Sequence, residues 1–139
     1  MAKRPLILCV DDEWNYLEGR KMLLEQSGYG VLLASNGVEA LQLFASHPVD
    51  LVLLDYHMPQ MSGDVIARQM KAIHPDVPLA LLSGDDYLPD SVLRSVDGFI
   101  SKAESPANFL EIVDHIVDLR FLFAAFDSWD YGKGKTRVA

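Results

Sequence analysis

The stretch LVLLDYHMPQMSG, residues 51–63, places a short aliphatic run directly before Asp55 and a loop that contains proline and glycine. Four further short runs share its apolar character: residues 6–10, 31–34, 79–82 and 98–100. Each is near the length of a strand and is apolar without a period of two. That pattern is typical of strands buried on both faces of a parallel sheet.

Segments with helical spacing alternate with these runs. The first has three apolar residues on one expected core face: Trp14, Leu17 and Leu24. Three residues are expected to cap the second, third and fifth helices: Asn36, Ser62 and Ser105. Pro106 suits the first position of the fifth helix, which is expected to end near Leu119. A short fourth helix is expected around residues 89–95.

This alternating order predicts an α/β fold, a five-stranded parallel sheet of (βα)5 type with helices on both faces. The length of 139 residues suits one domain. We expect that domain to cover residues 1–120 and an extension to cover residues 121–139. In such sheets the functional site lies beyond the carboxyl ends of the strands, where the strand order reverses.

Composition excludes several classes of protein. The chain has 20 acidic and 12 basic residues, a net charge of −8, which argues against a nucleic-acid binder. Its longest apolar run, residues 121–126, is far below the ~20 residues that span a bilayer, so no membrane partner is expected. The single cysteine, Cys9, fits a reducing compartment, and we expect a cytoplasmic protein.

Polar residues follow the apolar runs at the predicted functional edge. Asp11 and Asp12 come after the first run and Asp55 after the third. Ser83 follows the fourth run and Lys102 the fifth. Clustered carboxylates repel one another, and oxygen ligands favour a hard divalent cation such as Mg²⁺, or Mn²⁺. Acidic residues after strands can also be plain helix caps, the better interpretation for Asp12 taken alone.

The ordered set of motifs resembles the receiver domain of two-component response regulators, of the CheY-like kind. The resemblance covers about residues 5–120 and implies a flavodoxin-like fold. The matching motifs stand at corresponding strand ends: Asp11-Asp12, residues 55–63, Ser83-Gly84 and residues 99–102. Ala103 departs from the pattern, because many receivers have a proline there.

The resemblance implies a role for each residue. Asp55 would accept a phosphoryl group from a sensor histidine kinase or a phosphotransfer protein. Lys102 and Ser83 would contact phosphoryl oxygens, and Phe99 would be an aromatic residue whose rotamer follows Ser83, unless it is plain core. The implied ligands of Mg²⁺ or Mn²⁺ are Asp11, Asp12, Asp55 and the backbone carbonyl of His57.

Two features near the site leave alternatives open. The His57 side chain is either a modulator of water attack on phosphorylated Asp55 or a partly exposed loop histidine. Asp85 and Asp86 match none of the implied ligands, and we expect them to be solvated loop residues.

The expected function is that of a stand-alone switch rather than a turnover enzyme. Its chemistry would be limited to its own phosphorylation and dephosphorylation. Because no second domain fits into residues 121–139, its output would pass through a downstream protein that the sequence does not name. Two alternatives are a degenerate receiver that serves as an interaction module and a Mg²⁺-dependent phosphohydrolase with an aspartyl-phosphate intermediate.

The C-terminal extension is aromatic and then basic. Five of the chain's aromatic residues lie within it: Phe121, Phe123, Phe126, Trp129 and Tyr131. On the fifth helix, Phe109, Ile112 and Ile116 are expected on one face and Leu110, Val113 and Val117 on an adjoining face. One of these faces would form core. The other, with the extension, either folds back on its own domain or forms a contact surface for a homodimer or a target.

Overall fold

The structure, a computed structural model, describes residues 4–85 and 87–132, and side chains within these ranges as far as residue 122. Its strands are Leu6–Val10 (β1), Gly30–Ala34 (β2), Leu51–Asp55 (β3), Leu79–Ser83 (β4) and Gly98–Ser101 (β5). Its helices are Trp14–Gln26 (α1), Gly37–Ser46 (α2), Gly63–Ile73 (α3), Asp90–Leu93 (α4) and Pro106–Gly132 (α5). The predicted alternation of strands and helices is confirmed.

The five strands form one parallel sheet in the order β2-β1-β3-β4-β5. The predicted fold class, with its flavodoxin-like topology, is confirmed. β2 and β3 lie on opposite sides of β1 in the sheet. The direction in which successive strands are added therefore reverses between β1 and β3. Val10, at the end of β1, is paired with Leu54 near the end of β3. Residues that follow these two strands therefore meet at the switch point.

Hydrophobic residues pack on both faces of the sheet. In β1, Leu8 and Val10 face the core under α2, α3 and α4, whereas Ile7 and Cys9 face the core under α1 and α5. All four side chains are fully buried. Burial on both faces explains why the strands are continuously apolar.

Two of the three predicted helix caps are confirmed by a side-chain hydrogen bond. The Asn36 side chain accepts a hydrogen bond from the Glu39 backbone N–H at 2.8 Å, and Ser105 Oγ accepts one from the Asn108 N–H at 3.1 Å. Pro106 is the first residue of α5, as predicted. Ser62 holds the cap position of α3, but its hydroxyl donates to Asp64 Oδ1 at 2.6 Å instead of capping the backbone.

Two expectations about the helices are wrong. Trp14 is 53% exposed, whereas Leu17 and Leu24 are fully buried. At 100° per residue, Trp14 points about 60° away from Leu17, which turns it out of the core. The fifth helix also passes Leu119 and runs to Gly132, because residues 107–131 contain neither glycine nor proline.

The apolar faces of α5 also differ from the expected pair. The buried stripe consists of Phe109, Val113 and Val117. Phe109 belongs to the first expected face, whereas Val113 and Val117 belong to the second. Leu110, Ile112 and Ile116 are partly buried against the same core. The side chains of four aromatic residues of the extension lie outside the described part: Phe123, Phe126, Trp129 and Tyr131. Among the described helices, none combines the length and hydropathy needed to cross a bilayer.

Candidate functional site

Asp55 is the last residue of the central strand β3, and its side chain is almost completely buried, with 2% of the residue exposed. Burial raises the pKa of its carboxyl above the ordinary value, and the nearby charge of Asp11 adds to that shift. The Lys102 ammonium opposes the shift because it stabilises the carboxylate. Burial therefore disfavours the ionised form of Asp55, and Lys102 favours it.

The structure brings Asp11, Asp12 and Asp55 together at the switch point. Each offers one carboxylate oxygen, and these oxygens all lie within 4.8 Å of one another. Asp11 is fully buried, whereas Asp12 is exposed. Three carboxylates this close repel one another strongly, and their donor set consists only of oxygen. The residues present thus fit a hard divalent cation of the Mg²⁺ kind.

Lys102 reaches the acidic cluster from the loop that follows β5. Its Nζ lies 2.8 Å from Asp55 Oδ1 and 3.7 Å from Asp11 Oδ2. Its backbone N–H donates to the Ser83 carbonyl at 2.9 Å, which fastens the loop to the end of β4. The Lys102 ammonium, the positive charge that the sequence placed at the strand ends, therefore lies between the carboxylates of Asp11 and Asp55.

One oxygen of the cluster has no hydrogen-bond partner. Asp55 Oδ1 is the one buried side-chain nitrogen or oxygen among the described residues that lacks one. Its close charged neighbour is the Lys102 ammonium, whose Nζ lies 2.8 Å away. A buried carboxylate oxygen is costly unless a cation or a donor compensates its charge. The Lys102 ammonium supplies that compensation.

Ser83 and Phe99 lie on the same face of the sheet, on adjacent strands. Ser83 is fully buried, and its Oγ accepts a hydrogen bond from the Asp85 backbone N–H at 3.0 Å. Phe99 pairs with Leu81, two residues before Ser83, and it is 39% exposed. Phe99 is therefore not a plain core residue. The two are close enough in the sheet for packing at one to affect the other.

The His57 ring bridges two loops beside the acidic cluster. Its Nε2 lies 2.6 Å from Asp85 Oδ2, and both side chains are exposed. His57 also packs against the Tyr56 ring, with centroids 4.7 Å apart. Asp85 is an exposed loop residue, as expected, and in addition its carboxylate contacts the histidine ring. Asp86 lies outside the described residues.

Sequence reasoning missed two residues of α1 that support the site. Arg20 Nη1 lies 2.9 Å from Asp11 Oδ2, and its guanidinium is 5.4 Å from the centre of the Tyr16 ring. Arg20 stands between Leu17 and Leu24, three residues after one and four before the other, on the buried stripe of the helix. A charged residue in that position needs a buried partner of opposite charge, and this signal could have revealed it.

Gly63, the first residue of α3, was also missed as a support. A Cβ atom there would lie 2.7 Å from the Asp55 carbonyl oxygen and 3.1 Å from Tyr56 Cα. Its N–H donates to the Tyr56 carbonyl at 3.1 Å. The helix can pack this close to the end of β3 only because the residue has no side chain.

These features agree with the comparison to known families. Residues 7–114 match the family model of the response regulator receiver domain. The chain belongs to this family, whose members act in two-component signalling and typically bind Mg²⁺ in an acidic pocket. The sequence-based assignment to CheY-like receivers is confirmed.

Among curated relatives, the response regulator MprA of Mycobacterium sp. (strain KMS) is 38% identical over 86 residues, 62% of this chain and 37% of that protein. The autoinducer 1 sensor kinase/phosphatase LuxN of Vibrio harveyi is 34% identical over 100 residues, 70% of this chain and 12% of that protein. This chain thus matches only a minor part of the length of either relative.

Solved structures show the same fold. A CheY-like receiver domain protein from Methanospirillum hungatei JF-1 superposes with a TM-score of 0.80 at 28% identity, covering 85% of this chain and 97% of that one. The response regulator TrrA from Thermotoga maritima, solved in complex with Mg²⁺-BeF, gives a TM-score of 0.76 at 34% identity. That match covers 81% of this chain and 98% of TrrA.

Proposed function

We propose that this chain accepts a phosphoryl group on Asp55 from a sensor histidine kinase or a phosphotransfer protein, and that phosphorylation switches its binding to a downstream protein. The observation that carries the proposal is the state of Asp55 Oδ1. This oxygen is buried, lacks a hydrogen-bond partner and lies 2.8 Å from the Lys102 ammonium. It is the nucleophile that an incoming phosphorus atom would meet.

The transfer is a substitution at phosphorus. The Asp55 carboxylate oxygen forms the new P–O bond while the P–N bond to the donor histidine breaks, and its electron pair stays on the departing imidazole. Negative charge on the transferred phosphoryl oxygens must be neutralised where they arrive. Lys102 supplies one positive charge there, as a compact ammonium suited to a single phosphoryl oxygen.

The acidic cluster would hold Mg²⁺ or Mn²⁺ through Asp11, Asp12, Asp55 and the backbone carbonyl of His57. The bound cation supplies charge neutralisation for the phosphoryl oxygens. The protein's own part is to keep three carboxylate oxygens within 4.8 Å of one another despite their repulsion.

Ser83 is the residue that would report phosphorylation to the surface. Its Oγ accepts from the Asp85 N–H, and among the described residues no acceptor takes the hydroxyl proton. That proton is free to be donated to a phosphoryl oxygen, which would draw the β4–α4 loop inward. Phe99 stands beside Ser83 on the sheet and is partly exposed, so its packing would change with the loop.

A phosphodonor experiment tests the function and both alternatives. The protein is incubated with phosphoramidate and Mg²⁺, and its intact mass is followed. We expect one phosphoryl group per chain, dependent on Mg²⁺, and none in Asp55→Asn. Asp76→Asn, an exposed acid at the opposite edge of the sheet, is the matched control and should be phosphorylated like the wild type.

The other outcomes are equally informative. No incorporation by a folded wild-type protein would contradict the proposal and favour a degenerate receiver that only binds partners. Repeated turnover of added phosphate esters would favour the phosphohydrolase instead. Incorporation that persists in Asp55→Asn would place the acceptor elsewhere.

We also propose that α5 mediates a homodimer. Ile112, Ile116 and Leu119 follow one another at spacings of four and three residues, and in sequence Phe123 and Phe126 continue that spacing. This is the 3.5-residue period of a helix that packs along a partner helix. This apolar stripe lies next to the buried stripe of α5. Ile116 is partly buried, and 38% of the surface of Leu119 is exposed.

A further inference from the structure

Arg20 is a charged residue in a core position, and neither the proposed transfer nor the family motifs explain it. Its side chain is only 11% exposed, and the carboxylate it contacts, Asp11, is fully buried. Desolvating a guanidinium is unfavourable unless a charged partner with good geometry compensates. The 2.9 Å contact from Nη1 to Asp11 Oδ2 supplies that compensation.

Arg20 and Lys102 approach the same oxygen of Asp11. Arg20 Nη1 is 2.9 Å from Oδ2, and Lys102 Nζ is 3.7 Å from it. Lys102 is closer to Asp55, at 2.8 Å from Oδ1. Because the Arg20 guanidinium already neutralises the charge of Asp11, the Lys102 ammonium stays close to Asp55, the proposed phosphoryl acceptor.

The Tyr16 ring holds the two cations in place. It lies one helical turn before Arg20, and its centre is 5.4 Å from the guanidinium carbon and 4.9 Å from Lys102 Nζ. An aromatic face attracts cations at these distances. The same three side chains line a cavity of about 340 Å³ between α1 and the β5–α5 loop.

Arg20 also changes which carboxylates are available to a metal ion. Asp11 Oδ1 accepts from the Glu13 backbone N–H at 3.0 Å, and Oδ2 is bound by Arg20. Both oxygens of Asp11 therefore already have partners within the protein, whereas Asp12 is exposed and Asp55 Oδ1 is contacted by the Lys102 ammonium. Counting Lys102 and Arg20 against the three carboxylates leaves the site with a single net negative charge.

We infer that Arg20, supported by Tyr16, is a positioning residue: it neutralises Asp11, keeps Lys102 at Asp55 and lowers the affinity of the acidic cluster for the divalent cation. The inference rests on the proposed function for its kinetic part only. Without the guanidinium, Asp11 would be a buried carboxylate whose nearest remaining cation is Lys102. The ammonium would shift toward Asp11 and away from the acceptor oxygen.

The test compares Arg20→Gln, which can still donate a hydrogen bond to Asp11, with Arg20→Lys, which keeps the charge. Arg68→Gln is the matched control, because Arg68 makes an exposed ion pair with Asp64 on α3. Two quantities are measured for each folded variant: the rate of phosphoryl incorporation from phosphoramidate, and the Kd for Mg²⁺ by titration calorimetry.

We expect Arg20→Gln to incorporate phosphoryl about tenfold more slowly, because the lysine is displaced from the acceptor. The same variant should bind Mg²⁺ about three- to tenfold more tightly, because the site has gained one net negative charge. Arg20→Lys should have an incorporation rate and a Mg²⁺ affinity close to those of the wild type. Arg68→Gln should match the wild type in both quantities. Tyr16→Leu should slow incorporation by about threefold, because it removes only the aromatic contact.

A merely structural role for Arg20 would lower incorporation without tightening Mg²⁺ binding, and that result would overturn the inference. So would wild-type values of both quantities in Arg20→Gln. If the wild type itself accepts no phosphoryl group, the proposed function fails, but the calorimetry still decides the role of Arg20. Equal Mg²⁺ affinities of wild type and Arg20→Gln would then overturn it, and tighter binding would support it.

Discussion

Asp55 is subject to two opposing requirements. Burial in the sheet raises the pKa of its carboxyl, yet only the ionised form can attack phosphorus. Lys102 and the cation site shift the balance back toward the carboxylate. We expect this conflict at a single residue to have a measurable effect on stability.

The raised pKa of Asp55 predicts a pH-dependent gain in stability for Asp55→Asn. Because the folded-state pKa lies above the ordinary value, the protonated form is favoured on folding. That contribution is complete below the ordinary pKa and is lost as the pH rises through the folded-state pKa. In Mg²⁺-free buffer at pH 7, Asp55→Asn should therefore melt at a higher temperature than the wild type.

The gain should shrink as the pH falls toward about 4, where the wild-type carboxyl is protonated too. Thermal melts followed by circular dichroism across this range measure it, with Asp76→Asn as the exposed control. An Asp55→Asn protein that melts below the wild type at pH 7 would contradict the prediction.

The pair of His57 and Asp85 predicts an effect on the lifetime of the phosphoryl group. The 2.6 Å contact joins the β3–α3 and β4–α4 loops beside Asp55, and we expect it to limit the access of water to a phosphoryl group there. In His57→Ala and in Asp85→Ala the phosphoryl group should be lost faster, by roughly threefold, which corresponds to less than about 1 kcal/mol in the barrier.

The decay is timed by intact mass after removal of the phosphodonor. His115→Ala, an exposed histidine on α5, is the control and should decay like the wild type. An unchanged lifetime in both loop variants would rule out this role and leave His57 as an ordinary loop histidine.

At the scale of elements, α3 shows how the acceptor strand is positioned. The helix begins at Gly63 against the backbone of Asp55 and Tyr56, where a Cβ would come within 2.7 Å of the Asp55 carbonyl oxygen. Backbone atoms at this contact cannot rotate away as a flexible side chain could. The start of the helix therefore fixes the end of β3.

We predict that Gly63→Ala destabilises the fold by about 1–3 kcal/mol, the usual range for an overpacked site. Urea titration measures the change. Gly19→Ala is the matched control, because a Cβ on Gly19 in α1 meets nothing within 4 Å. That variant should be more stable than the wild type by up to about 1 kcal/mol, since alanine is the better helix former. Equal stability of Gly63→Ala and the wild type would refute the packing argument.

Helix α1 shows where sequence patterns stop being sufficient. Its spacing correctly marks Leu17 and Leu24 as core, but it also assigns Trp14 to the core and leaves Arg20 unassigned. Periodicity records which residues are apolar, whereas burial depends on the exact rotation of the helix over the sheet. The position of Arg20 on the buried stripe indicates a charged partner, but only the structure shows that this partner is Asp11.

On the scale of the whole molecule, α5 is the helix that extends furthest beyond its own buried residues. Its 27 residues span about 40 Å at 1.5 Å per residue, but its buried stripe ends at Val117. Arg120 then donates to the Asp76 carbonyl at 2.9 Å. Phe121 and Leu122 follow with 44% and 60% of their surfaces exposed. These two exposed apolar residues follow the buried stripe directly, and they lie where the proposed homodimer would form.

We predict that the chain is a dimer in solution and that Leu119→Glu, or deletion of residues 121–139, makes it monomeric. A charge placed in the apolar stripe would be buried unpaired in the dimer, which is strongly unfavourable. Light scattering after size-exclusion chromatography measures the mass. Glu111→Lys changes the charge of the same helix away from the stripe, so it should stay dimeric. A monomeric mass for the wild type would refute the homodimer.

The sequence by itself determined the class of fold and the edge of the sheet that carries the site. Five continuous apolar runs alternating with helical segments allow few other folds, and strand ends identify Asp11, Asp55 and Lys102 without coordinates. These features are local, so a linear pattern records them.

Only the tertiary structure decided the contacts between distant segments. It paired Arg20 with Asp11, His57 with Asp85, and Gly63 with the backbone of Asp55. It also carried α5 past Leu119, where the sequence pattern had ended the domain. The length of α5 follows from a local feature, because residues 107–131 contain neither glycine nor proline. The three contacts, in contrast, depend on how elements pack in three dimensions, and packing distances between elements leave no periodic signal in the chain.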